Sequence, residues 1–247
     1  MILDRFRLDD QVAINRTLPR GSPDGQLKLE DKVWGYGVNL GLLYEVSEGT
    51  RFGVTYNSEI KLDFKPSADF SGEGPLLRGL LTSRKLLGAT VNMATYIPQG
   101  INASFFHQVD ERWALLGSLG WQDWSAFSHS SVETRGGVTT SKLQLQDTWH
   151  VALGAQYQYS GTTRINAGVA YDSSFYKHNN QASYALPASD AWRFGAGVQY
   201  TLSPKSELGI AAEYLRSSTL RDPSPVIGGK YEDPYMVFMS AHYSYRF

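Results

Sequence analysis

The stretch WGYGVNLGLLYEV, residues 34–46, puts an apolar side chain on every even position: Trp34, Tyr36, Val38, Leu40, Leu42, Tyr44 and Val46. Odd positions Gly35, Gly37, Asn39, Gly41 and Glu45 are small or polar, and Leu43 is the exception. A period of two over this length specifies a β-strand with one apolar and one polar face. Past SEGT the pattern restarts in RFGVTYNSEIKLDF, with Phe52, Val54, Tyr56, Ile60, Leu62 and Phe64 as the apolar set.

The same alternation recurs outward from this pair. It runs through QGINASFFHQ from Gln99, WALLGSLGWQDW from Trp113, WHVALGAQYQY from Trp149 and RINAGVAYD from Arg164. It continues in WRFGAGVQYTL from Trp192, ELGIAAEYL from Glu207 and the tail from Tyr235 to Phe247. These segments predict nine strands. Short turns near 47–50, 109–112, 160–163 and 203–206 alternate with long connections near 65–97, 128–145, 176–190 and 216–234. A meander with tight turns at one end and long loops at the other is the layout of an outer-membrane β-barrel.

Composition removes other classes. The formal net charge is −1 with no basic cluster, so nucleic acid is not an expected partner. There are no cysteines, which excludes disulfides and thiolate metal sites. Mean hydropathy is below zero, no run approaches the roughly 18 apolar residues of a membrane helix, and the first residues lack the apolar core of a signal peptide. Alternation hides the apolar content from such averages. Along each apolar face the aromatics gather near strand ends, as in Trp34 and Tyr44, Trp149 and Tyr157, Trp192 and Tyr200, Tyr235 and Tyr243. Aliphatic residues hold the middles. Rings favour the two membrane interfaces and aliphatics the hydrocarbon between. The expected fold is therefore all-β, an antiparallel transmembrane β-barrel segment. Residues 1–26 are expected as an external loop or N-terminal extension and 27–247 as the barrel strands.

The tail, with Tyr243, Tyr245 and Phe247 on its apolar face, has the form of the signal read by the barrel-assembly machinery. With Phe247 on the periplasmic side, an odd strand number starts the first strand outside the cell. Closing nine strands would also pair the first and last in parallel. An open edge in lipid leaves backbone groups unsatisfied, so the expectation is the C-terminal part of a larger barrel, with a missing N-terminal half as its partner.

Several segments together resemble the long-chain fatty-acid outer-membrane transporter family (FadL/TodX type). They are WGYGVNLGLLYEVSEGTRFGVTYNSEIKLDF, DERWALLGSLGWQDWSAF, VALGAQYQY, RINAGVAYDSS and the last strand, in the family's order over about residues 27–247. The first, and W-x-D-W-S-x-F from Trp121 to Phe127, are the most specific. The resemblance implies a 14-stranded barrel of which this chain supplies the last nine strands. It implies passive movement of hydrophobic molecules, with membrane lipid, lipopolysaccharide and a long-chain fatty acid or similar ligand as partners. The family's N-terminal hatch and first five strands are not in this sequence.

Candidate site residues follow. In GPLLRGLLTSRKLLG, Leu76, Leu77, Leu80, Leu81, Leu86 and Leu87 approximate an amphipathic helix interrupted by Gly79. It reads as a cap at the barrel mouth or as an apolar capture loop. Lys61, Lys142 and Arg193 share polar-face parity near the external strand ends, and the resemblance places a ligand-contacting lysine near Lys142. Each reads as a receptor for a carboxylate or as an ordinary lumen charge paired with Asp63, Glu59 or Glu213. The five histidines are scattered, with His150 and His242 facing inward, and no triad, metal spacing or phosphate loop appears. No cofactor, metal or enzymatic activity is expected. Alternative readings are a non-transporting barrel remnant and a soluble all-β lipid-binding domain.

Overall fold

The computed structural model describes residues 2–14, 25–83, 86–129, 131–134, 137–140, 144–182, 188–222 and 228–246. In chain order the strands begin with β1 (Ile2–Ile14), β2 (Gly25–Gly37), β3 (Asn39–Ser47), β4 (Thr50–Asn57), β5 (Ile60–Phe64) and β6 (Ser67–Ser71). Helix α1 (Pro75–Ser83) precedes β7 (Asn92–Ile97), β8 (Gly100–Gln108), β9 (Trp113–Gln122), β10 (Ser131–Thr134) and β11 (Gly137–Thr140). Then come β12 (Thr148–Gln158), β13 (Thr163–Asp172), β14 (Ala191–Ser203) and β15 (Ser206–Ser217). The last are β16 (Leu220–Asp222), β17 (Gly229–Tyr231) and β18 (Tyr235–Tyr245).

The chain forms two compact units. One comprises residues 40–57, 99–125 and 144–247, and nearly all of the nine-stranded antiparallel sheet lies in it. The sheet order is β18-β15-β14-β13-β12-β9-β8-β4-β3, a meander of the nine strands that alternation predicts. The four short turns fall where expected, between β3 and β4, β8 and β9, β12 and β13, and β14 and β15. Register aligns side chains of one kind across strands. Leu153 pairs with Val169, Val169 with Phe194, Phe194 with Tyr214 and Tyr214 with Val237, a continuous apolar row. The neighbouring row on the other face runs Gly154, Gly168, Gly195, Glu213, Phe238.

The apolar face is not covered by protein. Leu40, Leu153, Trp192, Phe194, Ile210 and Met239 are all exposed. A soluble monomer of 27.5 kDa exposes about 11,000 Å² by the usual scaling. This chain exposes 16589 Å², about half as much again. Large exposed apolar areas mark contact surfaces, and this one has its rings near the strand ends. Trp113 meets Tyr157 at 4.6 Å toward the short turns, and Tyr171 meets Trp192 at 5.1 Å toward the long connections. Mid-sheet, the ring of Phe105 lies over Gly117, its register partner, where any side chain on Gly117 would collide with it.

The other unit comprises residues 1–39, 58–98 and 126–143. It holds a β1-β2-β6 sheet, a β11-β10-β7-β5 sheet and α1. Its small core is Ile60, Leu62 and Phe64 packed with Val33. Here the structure refines the expected elements. The single strand read over 34–46 breaks at Val38, whose N–H donates to Ser58 Oγ at 2.8 Å while Ser58 N–H returns to Val38 O at 2.8 Å. The segment 51–64 breaks at the same place into β4 and β5. Gly37 lies beside the break, where an added Cβ would stand 2.8 Å from Ile60 Cγ1. Within the expected 1–26 extension, residues 2–14 form a full strand, in register from Ile2 opposite Gly37 to Ile14 opposite Gly25. The reason is legible: Ile2, Phe6, Leu8, Val12 and Ile14 share one parity.

Candidate functional site

The polar face of the nine-stranded sheet lines a cleft of about 1300 Å³. Its floor is the glycine row of β12 to β14. Small residues are needed there: a Cβ on Gly197 would stand 3.0 Å from the Ile210 carbonyl oxygen and from Ala211 Cβ. One flank, from β3, β4, β8 and β9, carries Leu43, Phe106 and Leu116. The other flank is ionic.

That flank is a chain of contacts across four strands. His150 Nδ1 lies 2.6 Å from Asp172 Oδ1. Arg193 Nε donates to Asp172 Oδ2 at 2.6 Å, and Arg193 Nη1 reaches Glu213 Oε1 at 3.4 Å. Charge on both partners makes these bonds stronger than neutral ones, while the partial exposure of the side chains leaves them open to screening. Arg193 is ion-paired with both Asp172 and Glu213, and Glu213 is among the partners named for it above. Its nearer partner, Asp172, escaped the sequence reading. Parity puts His150, Asp172 and Arg193 on polar-face positions, and the register of β13 against β12 and β14 brings the three together.

The other predicted residues are dispersed. Lys61 belongs to the unit of residues 1–39, 58–98 and 126–143, where its Nζ lies 5.3 Å from the centre of the Tyr96 ring. Lys142 and Phe247 fall outside the described residues. The leucine stretch does form a helix, and it divides its side chains. Leu77 and Leu81 are buried at 5% and 6% exposure, whereas Leu76 and Leu80 stand out at 67% and 41%. Leu77 packs on Gly25, leaving 2.7 Å to an added Cβ. Leu86, half-buried like Leu87, donates its N–H to Leu81 O at 2.9 Å. Tyr243 and Tyr245 are exposed on β18. Among the described residues, no group of three or more His, Asp or Glu could hold a metal ion, and no helix is long and apolar enough to cross a membrane.

A recurring contact ties the ends of the strands to the long connections. Tyr56 OH donates to Gln99 Oε1 at 3.1 Å, and Gln99 Nε2 donates to Asp123 Oδ2 at 3.0 Å. Trp121 Nε1 donates to Asp147 Oδ2 at 3.1 Å, and Asp147 Oδ1 accepts Ser125 N–H. Asp190 Oδ1 takes both Tyr171 OH and Ser174 N–H. Thr219 Oγ1 and Asp233 bond each other at the base of the last connection. Each clasp spans one long connection and gives a half-buried polar group a partner.

A banded apolar outer surface, an antiparallel meander and a polar cleft behind it define an outer-membrane β-barrel protein. The chain belongs to the outer membrane protein transport protein family (OMPP1/FadL/TodX), which matches residues 11–241. It is 29% identical over 204 residues to the long-chain fatty acid transport protein of Escherichia coli (strain K12), covering 78% of this chain and 44% of that protein. It is 28% identical over 193 residues to outer membrane protein P1 of Haemophilus influenzae, covering 77% and 40% respectively. The chain spans about half the length of the curated relatives it matches. Among solved structures, a Pseudomonas aeruginosa FadL homologue shares the fold with a TM-score of 0.74 at 19% identity, covering 98% of this chain and 62% of that one. The P. putida toluene transporter TodX does so with 0.57 at 18% identity, covering 91% and 54%. These relatives make the protein an outer-membrane protein of a transport family, which removes the soluble reading.

Proposed function

We propose that this chain supplies one wall of a passive, ligand-gated route by which long-chain fatty acids or other hydrophobic molecules cross the outer membrane. The observation that carries this reading is the cleft, which joins an apolar flank of Leu43, Phe106 and Leu116 to a floor kept open by glycines. The names of the relatives, a fatty acid transport protein and a toluene transporter, support the cargo class. In this reading the long connections face outward, residues 1–26 among the external segments, and Leu76 and Leu80 offer an apolar patch on which an acyl chain first lands. Lipid and lipopolysaccharide surround the exposed face. Tyr243, Tyr245 and Phe247 form the signal taken by the barrel-assembly machinery. The protein carries out no covalent chemistry and needs no cofactor.

A second reading is a barrel remnant that transports nothing. One experiment separates the two. Labelled oleate uptake is measured in cells lacking their own fatty-acid transporter, with this chain expressed alone and with an N-terminal half taken from a relative. Transport predicts uptake in at least one case, undiminished by a protonophore. Correct membrane assembly in both cases with no uptake would establish the remnant.

A further inference from the structure

The apolar outer face of the nine-stranded sheet carries a single charge. Among the described residues, its outward positions hold no Asp or Glu, and Arg216 of β15 is the sole Lys or Arg on them. Arg216 pairs in register with Trp192 of β14 and Tyr235 of β18, and Trp192 pairs with Tyr171 of β13. A guanidinium is thus set into the row of rings nearest the long connections. Its ion pair does not account for it. Arg216 Nη2 stands 3.8 Å from Asp233 Oδ2, beyond hydrogen-bond distance, and the two side chains are 61% and 63% exposed. An exposed pair of this kind contributes little. Asp233 is held by Thr219 instead: its N–H donates to Thr219 Oγ1 at 3.2 Å, and that hydroxyl donates to Asp233 Oδ1 at 3.3 Å. These bonds keep Asp233 at φ 41°, in the left-handed region. Among the described residues the Arg216 guanidinium donates no hydrogen bond.

Depth and geometry define the ligand. Rings on the outward face mark the head-group level, and a lipid-facing arginine is tolerated there but costly toward the midplane. What lipid offers a planar cation at that level is phosphate, which a guanidinium binds through two parallel hydrogen bonds. The long connections lie at this end of the strands, so the leaflet is the outer one. Its anionic lipid in a Gram-negative bacterium is lipopolysaccharide, whose lipid A carries phosphate monoesters at the boundary between sugar and acyl chains. We infer that Arg216 binds a lipid A phosphate, with the acyl chains lying over Phe194 and Val237, the next outward residues on β14 and β18. The site lies on the outside of the sheet, away from the cleft. It rests on the outward placement of the long connections in the transport reading above.

The test measures retention of lipid A, of its fully dephosphorylated form and of phosphatidylglycerol by native mass spectrometry, on the full chain refolded in a non-ionic detergent. Folding of each variant is checked by heat-modifiable gel mobility. The wild type should hold lipid A about tenfold or more above the dephosphorylated form, the scale of a charged hydrogen bond. R216Q should lose that preference and R216K recover part of it. D233N keeps the side-chain shape and removes the competing charge, so it should strengthen lipid A binding. K205Q, at the opposite end of the strands, should change nothing. A preference that survives R216Q, or weaker binding in D233N, would overturn the site. Equal retention of phosphatidylglycerol and lipid A by the wild type would overturn the assignment to lipopolysaccharide. The orientation is read separately, by labelling R221C with a membrane-impermeant maleimide on intact cells. Labelling without a phosphate preference overturns this site and leaves transport standing, whereas absence of labelling overturns the orientation on which both depend.

Discussion

Tyr171, at the end of β13, donates its phenolic hydrogen to Asp190 Oδ1 at 3.0 Å, and so ties its strand to the residue just before β14. The same oxygen accepts Ser174 N–H at 2.9 Å. D190A removes the acceptor from both donors and should cost about 1–3 kcal/mol. Y171F removes only one bond and should cost about 1 kcal/mol. Denaturant midpoints of the refolded protein in micelles, followed by tryptophan fluorescence, give both values. Equal midpoints for D190A and the wild type would show that the clasp contributes nothing.

Leu40 and Val198 lie in the aliphatic band of the exposed face. Arginine at either position should cost about 2–4 kcal/mol near the bilayer midplane. The same substitution at Gly79 on α1, where an added Cβ meets nothing within 4 Å, should leave bilayer insertion unchanged. Folding yield into lipid vesicles reads the difference, and indifference of L40R and V198R to lipid would contradict the placement of the band.

The α1 leucines separate function from packing. L77A and L81A empty buried sites and should each destabilise by about 2–5 kcal/mol, an effect of cavity formation. Glutamine at the exposed Leu76 and Leu80 should leave stability within about 0.5 kcal/mol and slow acyl-chain uptake. Uptake at the wild-type rate in the L76Q/L80Q double variant would remove the capture role.

Glu30 sets an acid limit on the β1–β2 pair. Its hydrogen bond and charge interaction with Lys28 at 2.9 Å, then the charge of Arg7 at 3.1 Å, hold its carboxyl below the ordinary value of 4.5. A folded value below the unfolded one means the contribution is present above the unfolded value. It fades as pH falls through the folded one. Protection factors of the β1 amides, with exchange corrected for its intrinsic pH dependence, should therefore fall on acidification below about pH 4.5 in the wild type and respond less in E30Q. Identical acid profiles would mean the pair is fully screened.

The nine strands were readable because lipid on one side and a polar lumen on the other impose a strict two-residue period, visible at Leu40, Leu153 and Val198 alike. The break at Val38 was not, since it depends on a single hydroxyl, Ser58, taking a backbone donor twenty positions away. β1 was obscured because Asp4 and Asp10 interrupt an otherwise apolar parity. For the site, parity placed Arg193 on the polar face, but its capture by Asp172 depends on register between β13 and β14. Sequence gives the face of a strand and not its slide.

The uncovered apolar face has a consequence for what stability means in this protein. Its rows from Leu153 to Val237 have no protein to pack against, so their free energy is set by whatever liquid touches them. A folding free energy quoted for the sheet is a joint property of chain and amphiphile, and changing the lipid is as much a perturbation as changing a residue. The same rows are a hazard during any passage through water, where they invite association with other chains. The same two-faced strands that suit the bilayer are thus least at ease in the water on the way to it.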